Sequence, residues 1–340
     1  MRAFGFVTEG VGAGLYSGSA DGSVRVWDLA APGATKTATS AVPVGGDVSS
    51  LLLAGGWLFL GLTGRISCWH MGGQFEKHEL QGHSGQVQAL AADLDRGMVF
   101  SGGQDGVGAC AIRAWAFNPA SGRFEAAGEL AGHTRTVTCL LTAGRLLFSG
   151  SMDGTIRVWD LESGACGFVC EAHTAADQQH AGVMSMLLWE GHLVSAGLDG
   201  RIKVWSGVGG PLELAYTHPD SKLAAEAAAA GGTGVFLPPG GGRGGRGGGG
   251  RAAAEPPLAR ALSMCGTLNA QAEPILVVSY DDSSLRFYAL PSFDDRGRMN
   301  QKNAVVRAMA TSPTGGFITG DDKGSCRVWT WNPAKTASPH

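Results

Sequence analysis

The stretch Ser17-Gly18-Ser19-Ala20-Asp21-Gly22-Ser23-Val24-Arg25-Val26-Trp27-Asp28-Leu29 decides the fold, because it returns almost unchanged at Ser149–Leu161. Asp-Gly at 21–22 and 153–154, and again at 199–200, marks a tight hairpin, since glycine supplies the positive φ that such a turn demands. Beyond the turn the apolar period is two. In Thr155-Ile156-Arg157-Val158-Trp159, apolar Ile156 and Val158 alternate with polar Thr155 and Arg157, as a half-buried strand requires. A strand, a tight turn and a second strand ending in Trp, recurring through the chain, predict an array of small antiparallel sheets.

The recurrence can be counted. Seven repeats run from the start to about 42 and over about 43–81, 82–131, 132–171, 172–218, 257–302 and 303–340. Six carry a tryptophan near the end of the third strand, namely Trp27, Trp69, Trp115, Trp159, Trp205 and Trp329, and the sixth repeat has Tyr288 there. A period of about 40 residues closing on Val-Trp resembles the WD-repeat β-propellers. Seven blades need roughly 280–315 residues, so a chain of 340 residues holds one all-β, seven-bladed propeller and one insertion. The expected division is blades 1–5 over 1–218, the insertion over 219–256, and blades 6–7 over 257–340.

The WD-repeat resemblance also implies a set of buried hydrogen bonds. In such proteins a histidine after glycine, a strand serine, the turn aspartate and the tryptophan indole form a chain. Here the complete sets are His133, Ser149, Asp153, Trp159 and His173, Ser195, Asp199, Trp205. His83, Ser101, Asp105 and Trp115 make a third, but four extra residues between its Asp and Trp point to a lengthened hairpin around Val107–Ala111. A buried carboxylate needs such partners, because an unpaired one costs several kcal/mol. The sets match a Ser-His-Asp triad in residue type only, and the expected role is structural. Repeats 2, 6 and 7 depart from the pattern, with Thr63 and Lys323 at the turn-aspartate position of repeats 2 and 7, and with Asp282 kept but the glycine and tryptophan lost in repeat 6.

Composition bounds the function. Net charge is −3 with 16% charged residues, which is not the strongly basic surface of a general nucleic-acid binder. No run approaches the ~18 apolar residues of a membrane-spanning helix. The seven cysteines are scattered without a Cys-x-x-Cys pair, which predicts a reduced, intracellular protein, in nucleus or cytoplasm alike. Phosphate loop, nucleophile elbow and His-rich metal cluster are missing, so neither enzyme, cofactor, metal nor small-molecule substrate is expected. His78, His180 and His192 read as isolated turn residues. The insertion is Ala-rich and then Gly-rich, with Arg243, Arg246 and Arg251. Such a composition cannot bury a core and predicts disorder. Its Arg-Gly steps are the candidate RNA contact.

More specific stretches add a family. Trp57-Leu58-Phe59-Leu60-Gly61, Tyr216-Thr217-His218, Asp282-Ser283-Ser284-Leu285-Arg286-Phe287-Tyr288, Pro291–Gly297 and Gly316–Trp331 resemble the plant and green-algal proteins that join CCCH zinc fingers to a WD-repeat propeller. The resemblance covers nearly everything except 219–256. It implies upstream Cys-Cys-Cys-His fingers, and this chain shows none. Cys166 and Cys170 lack a third Cys and a His at finger spacing, so the expectation is no zinc. The last repeat ends after its third strand, and the first opens without a Gly-His. An open sheet edge is a liability. The expectation is therefore an N-terminally truncated chain whose last blade lacks its closing strand, with pairing by Lys335–His340 as the rival.

Four functions follow from these readings. The first is a non-catalytic scaffold that binds a protein or peptide on the propeller face, with the long loop at Ala175–Ala181 as part of a rim. The alternative is RNA association through the Arg-Gly tract or an absent upstream finger. A ubiquitin-ligase receptor is disfavoured, because Trp27-Asp28-Leu29-Ala30 and Trp159-Asp160-Leu161-Glu162 lack the arginine of a Trp-Asp-x-Arg box. Catalysis comes last.

Overall fold

Each Val-Trp segment forms the third strand of an antiparallel meander, and seven meanders follow one another through the chain. The computed structural model describes residues 3–7 (backbone alone), 14–28, 38–72, 76–105, 110–174, 181–219, 259–312 and 315–331. These residues contain strands and turns and no helix, so none forms a membrane-spanning helix.

Blade 1 comprises β1 (Ala3–Val7), β2 (Gly14–Gly18), β3 (Ser23–Trp27) and β4 (Ala38–Pro43). Blade 2 has β5 (Ser50–Ala54), β6 (Trp57–Gly61), β7 (Thr63–His70) and the start of β8 (Lys77–Asp93). The 17-residue β8 serves two blades: Lys77–Gln81 pairs with β7, and Val87–Asp93 pairs with β9 (Met98–Gly103). Blade 3 continues through β10 (Cys110–Asn118) and β11 (Arg123–His133). Blade 4 is β12 (Val137–Ala143), β13 (Leu146–Ser151), β14 (Thr155–Asp160) and β15 (Cys166–Glu171). Blade 5 is β16 (Val183–Trp189), β17 (His192–Gly197), β18 (Ile202–Ser206) and β19 (Glu213–His218). Blade 6 is β20 (Ala261–Leu268), β21 (Pro274–Tyr280), β22 (Ser284–Ala289) and β23 (Asp295–Asn300). Blade 7 has three strands among the described residues, β24 (Val306–Thr311), β25 (Phe317–Asp321) and β26 (Cys326–Trp329).

The first strands β1, β5, the second half of β8, β12, β16, β20 and β24 touch one another in cyclic order, and β24 returns to β1. They line a central channel. Leu15 and Trp27 of blade 1 share a buried cluster with Ile318 of blade 7, which joins the two ends of the ring. Turns between second and third strands, and connections from one blade to the next, lie on one face, here called the upper face. The insertion leaves blade 5 on that face, after His218, and its residues 220–258 lie outside the described ones.

What sets the distance between blades is a glycine following the strand serine. A Cβ at Gly150 would lie 2.6 Å from Val183 Cγ1 of the next blade, and one at Gly102 would lie 2.6 Å from Val137 Cγ1. Gly18 faces Val48 in the same way. A Cβ at Gly61, which follows Leu60, would lie 3.0 Å from Val87 Cγ1 but nearer, at 2.6 Å, to the Val87 carbonyl oxygen, and all four valines are fully buried. In blade 5 the position holds Ala196, and blade 6 presents Ala261 where the others present valine; both are fully buried in one cluster. A methyl is gained on one side where two are lost on the other. Hydroxyl groups add ties between blades. Ser50 Oγ donates to Val87 O at 2.8 Å, Thr311 Oγ1 to Gly266 O at 2.7 Å, and Thr138 Oγ1 to Val183 O.

Gly150→Ala therefore overpacks the blade 4–blade 5 contact and should cost about 1–3 kcal/mol. Val183→Ala placed on the same chain should return part of that loss, as the Ala196 and Ala261 pair does natively. Urea denaturation of the two single variants and the double variant checks this, and simple additivity would refute it.

Candidate functional site

The three predicted hydrogen-bond sets are assembled from parts far apart in sequence. In blade 4, Trp159 Nε1–H donates to Ser149 Oγ at 2.8 Å, Ser149 Oγ lies 2.7 Å from His133 Nε2, and His133 Nδ1 lies 2.9 Å from Asp153. Blade 5 repeats this with Trp205, Ser195, His173 and Asp199 at 2.9, 2.8 and 2.8 Å. Blade 3 repeats it with Trp115, Ser101, His83 and Asp105 at 2.8, 2.7 and 2.6 Å. The chemistry assigns the protons. A carboxylate only accepts, so each Nδ1 carries hydrogen, each Nε2 accepts from the serine hydroxyl, and each serine accepts from indole.

The aspartates also hold the upper-face loops. Asp153 accepts from the Thr134 and Thr155 amides at 3.0 and 2.9 Å, and Asp105 accepts from the Ser84 amide at 2.8 Å. Each carboxylate thus joins the connection entering its blade to the hairpin within it. Burial pushes the Asp153 carboxyl up, but the hydrogen bonds from His133 and Thr155 outweigh it and leave the group well below the usual range. Burial acts the same way on Asp105 and Asp199, and their histidines again bring the net shift down. Gly154 takes φ +83, and a Cβ there would meet His173 O at 2.6 Å, so the hairpin needs glycine for both conformation and space.

None of this geometry suits acyl transfer. Ser101, Ser149 and Ser195 are fully buried, and both neighbours of each hydroxyl are occupied. A nucleophile must reach its substrate, and these serines face the sheet interior.

The remaining blades use partial sets. Trp27 donates to Ser17 at 2.8 Å, while Asp21 pairs with Arg25 at 3.0 Å in place of a histidine. Trp329 donates to Thr319 at 2.9 Å, and the acidic partner in blade 7 is Asp321, which accepts from the Lys323 and Ser325 amides. The sequence pattern places the turn position at Lys323, two residues later. In blade 6 the Tyr280 and Tyr288 hydroxyls lie 3.4 Å apart, and Arg286 packs over the Tyr280 ring. In blade 2, Trp69 turns to Ser67 of its own strand.

Some expected residues stand elsewhere. Residues 106–109 of the lengthened hairpin, 175–180 of the long loop, and Arg243, Arg246 and Arg251 lie outside the described residues. His78 is not a turn residue. It sits half-buried in β8, accepts from the Phe124 amide at 3.3 Å, and packs edge-on against Trp57. Its sequence neighbours, Lys77 and Glu79, concealed an aromatic cluster that forms only when β6, β8 and β11 meet. His192 begins β17, and His180 lies outside the described residues. Burial pushes the Cys139, Cys265 and Cys326 thiols up to about 12 and Cys170 to about 11, which disfavours the thiolate needed for metal binding or nucleophilic attack.

What the sequence reading missed is a layer of side chains at the mouth of the channel. Five inner strands carry a register shift at their start, between 87 and 89, 137 and 139, 183 and 185, 261 and 263, and 306 and 308. The skipped residues are Gln88, Thr138, Met184, Leu262 and Arg307. With Ser49 of blade 2 they line a cavity of about 280 Å³, and Leu51, Leu90, Leu140 and Met309 lie beside them. A bulge leaves one residue unpaired and re-aims its side chain, which periodicity alone does not reveal.

With this architecture in view, the chain can be compared with known proteins. The model of the WD40 family, described as WD domain, G-beta repeat, matches residues 10–28, 74–107, 124–160 and 297–330. The chain carries WD40 repeats in these four segments. Its propeller is similar to "Zinc finger CCCH domain-containing protein 17" of Oryza sativa subsp. japonica, with 36% identity over 93% of this chain and 60% of that protein. It is also similar to "Zinc finger CCCH domain-containing protein 48" of Arabidopsis thaliana, with 32% identity over 95% of this chain and 62% of that one. The chain thus spans about three fifths of the length of these relatives. A chain in a crystal structure of a mitotic checkpoint complex superposes with a TM-score of 0.69 at 17% identity, covering 98% of this WD40 chain and 87% of its own, which shows the fold alone.

Asp153→Asn should lower stability at pH 7 by about 1–3 kcal/mol, the usual cost of leaving buried hydrogen-bonding groups unsatisfied. Because the folded-state carboxyl is held below its unfolded value of about 3.9, that contribution is complete above about pH 4 and is lost as pH falls further. The gap between wild type and variant should therefore close in acid. Denaturation curves at neutral pH and at about pH 3 test it, and a gap that stays constant would contradict the assignment.

Proposed function

We propose that this WD40 chain is a non-catalytic protein-interaction scaffold whose upper face binds a protein or peptide partner. One observation carries the reading. The three Ser-His-Asp sets are sealed inside the sheets, yet each aspartate fixes two upper-face loops whose tips are exposed. Ser84, Gln104, Thr134 and Arg201 stand on these loops with exposed side chains, and Lys302 and Lys323 stand exposed on the corresponding connection and hairpin of blade 7. A rigid frame holding variable exposed loops is the usual site of recognition. A fold by itself names no partner, so the reading rests on this placement. RNA association through Arg243, Arg246 and Arg251 is the competing reading.

Reversing three upper-face charges in one chain, Arg201→Glu, Lys302→Glu and Lys323→Glu, should reduce recovery of crosslinked protein partners from cells by about tenfold, since like charges at an interface cost several kcal/mol. Asp95→Lys with Arg123→Glu, on the opposite face, should leave recovery unchanged. Equal effects from both sets would remove the upper face from the proposal. If what is recovered is RNA, with binding that falls steeply with salt and vanishes on deletion of 219–256, the competing reading takes its place.

A further inference from the structure

We infer that the upper mouth of the central channel receives one carboxylate side chain from the bound partner, with Arg307 as its counter-charge and Gln88 as a second donor. The inference rests on the scaffold reading and specifies what the partner must present at its centre.

Three observations converge. First, the layer is built by repetition. The shared bulge at the start of β8's second half, β12, β16, β20 and β24 brings Gln88, Thr138, Met184, Leu262 and Arg307 to one level of the same cavity. Second, among the described residues the layer carries charge at Arg307 alone. Arg307 is exposed, and among the described residues neither it nor Gln88 has a hydrogen-bond or ion-pair partner. No carboxylate occurs among the residues lining the cavity. By contrast, Arg25, Arg65, Arg113, Arg286 and Arg327, all on third strands, each have an acidic partner. Third, the size is small. A cavity of about 280 Å³ falls at the lower limit of ligand pockets, which run from roughly 300 to 1,000 Å³. It accommodates a side chain and not a folded element.

The floor explains why a carboxylate fits better than a larger anion. Leu51, Leu90, Leu140 and Met309 bound the cavity with apolar side chains, and Thr138 and Ser49 already donate their hydroxyls to Val183 O and Val87 O. The free donors among the described residues are therefore a guanidinium, a primary amide and the Ser263 hydroxyl. Among these residues the one positive charge matches a monoanion. A phosphate carries close to two negative charges at neutral pH, against one guanidinium among the described residues that line the cavity. Guanidinium and carboxylate can also meet through two parallel hydrogen bonds, the strong geometry for this pair.

The test uses the full chain and three blocked heptapeptides of Gly and Ser with a central Glu, Gln or phosphoserine. Methyl NMR of Met184 and Met309 reports on the cavity directly. The Glu peptide should shift both methyls saturably and bind about tenfold more tightly than the Gln peptide, a difference of 1.4 kcal/mol. Arg307→Gln should erase that preference, while thermal unfolding stays unchanged because the side chain is exposed. Gln88→Leu should weaken the Glu peptide without abolishing its preference over Gln. Equal binding of the Glu and Gln peptides, a preference that survives Arg307→Gln, or tighter binding of phosphoserine would each overturn the inference. If Arg307→Gln also leaves partner recovery intact while the upper-face triple variant loses it, the channel assignment fails and the scaffold stands.

Discussion

Neighbouring blades approach where a residue with no side chain faces a buried valine. Gly102 against Val137 and Gly150 against Val183 let two sheets approach at the inner end, where the ring is narrowest. Each valine is withdrawn from water, a gain of about 1.5–3 kcal/mol for a fully buried side chain. That gain exists only if the facing position adds no volume. Blade 5 meets the constraint differently, with Ala196 and Ala261, where a methyl gained on one side is offset by two lost on the other. The closure of the ring depends on this spacing being repeated.

Within each blade the hydrogen-bond chain has a different task. It crosses the sheet from the Trp indole to the upper-face loops, and so converts sheet packing into loop position. His83, His133 and His173 are oriented by two partners each, one at either ring nitrogen. Where histidine is missing, arginine from the third strand takes the carboxylate, as in Asp21 with Arg25 and Asp282 with Arg286. The hairpin is held in either case, but the salt bridge lies at the surface, where such pairs contribute little. Blades 3 to 5, with buried chains, therefore form the firmer part of the platform.

The upper face gathers what distinguishes this WD40 chain from its own repeats. The lengthened hairpin of blade 3, the long connection into blade 5 and the insertion between blades 5 and 6 all leave the sheets on that side. The channel opens there too, with a lone cation on blade 7 at a level where the other described side chains are neutral. Similarity to the plant zinc finger CCCH proteins spans the propeller, and the proposed recognition falls to these loops and this mouth rather than to the repeats.

Local sequence determined the strands, the hairpins and the membership of each buried set. A period of two, Asp-Gly turns and a closing Trp are short-range signals, and Ser149, Asp153 and Trp159 lie within eleven residues of one another. The histidine could be named only through the resemblance to WD-repeat proteins, since it precedes the turn aspartate by 22, 20 and 26 residues in the three sets. Tertiary structure alone decided the rest. The bulges that aim Gln88 and Arg307 into the channel arise from how an inner strand meets its neighbour, and no residue pattern within the strand marks them. The volume exchange between Ala196 and Ala261 joins positions 65 residues apart in different sheets. Asp321 displaced the expected position 323 because a carboxylate is set by the amides it can reach, not by its place in a repeat. Periodicity reports which face of a strand is buried. What that face meets depends on the closure of the ring.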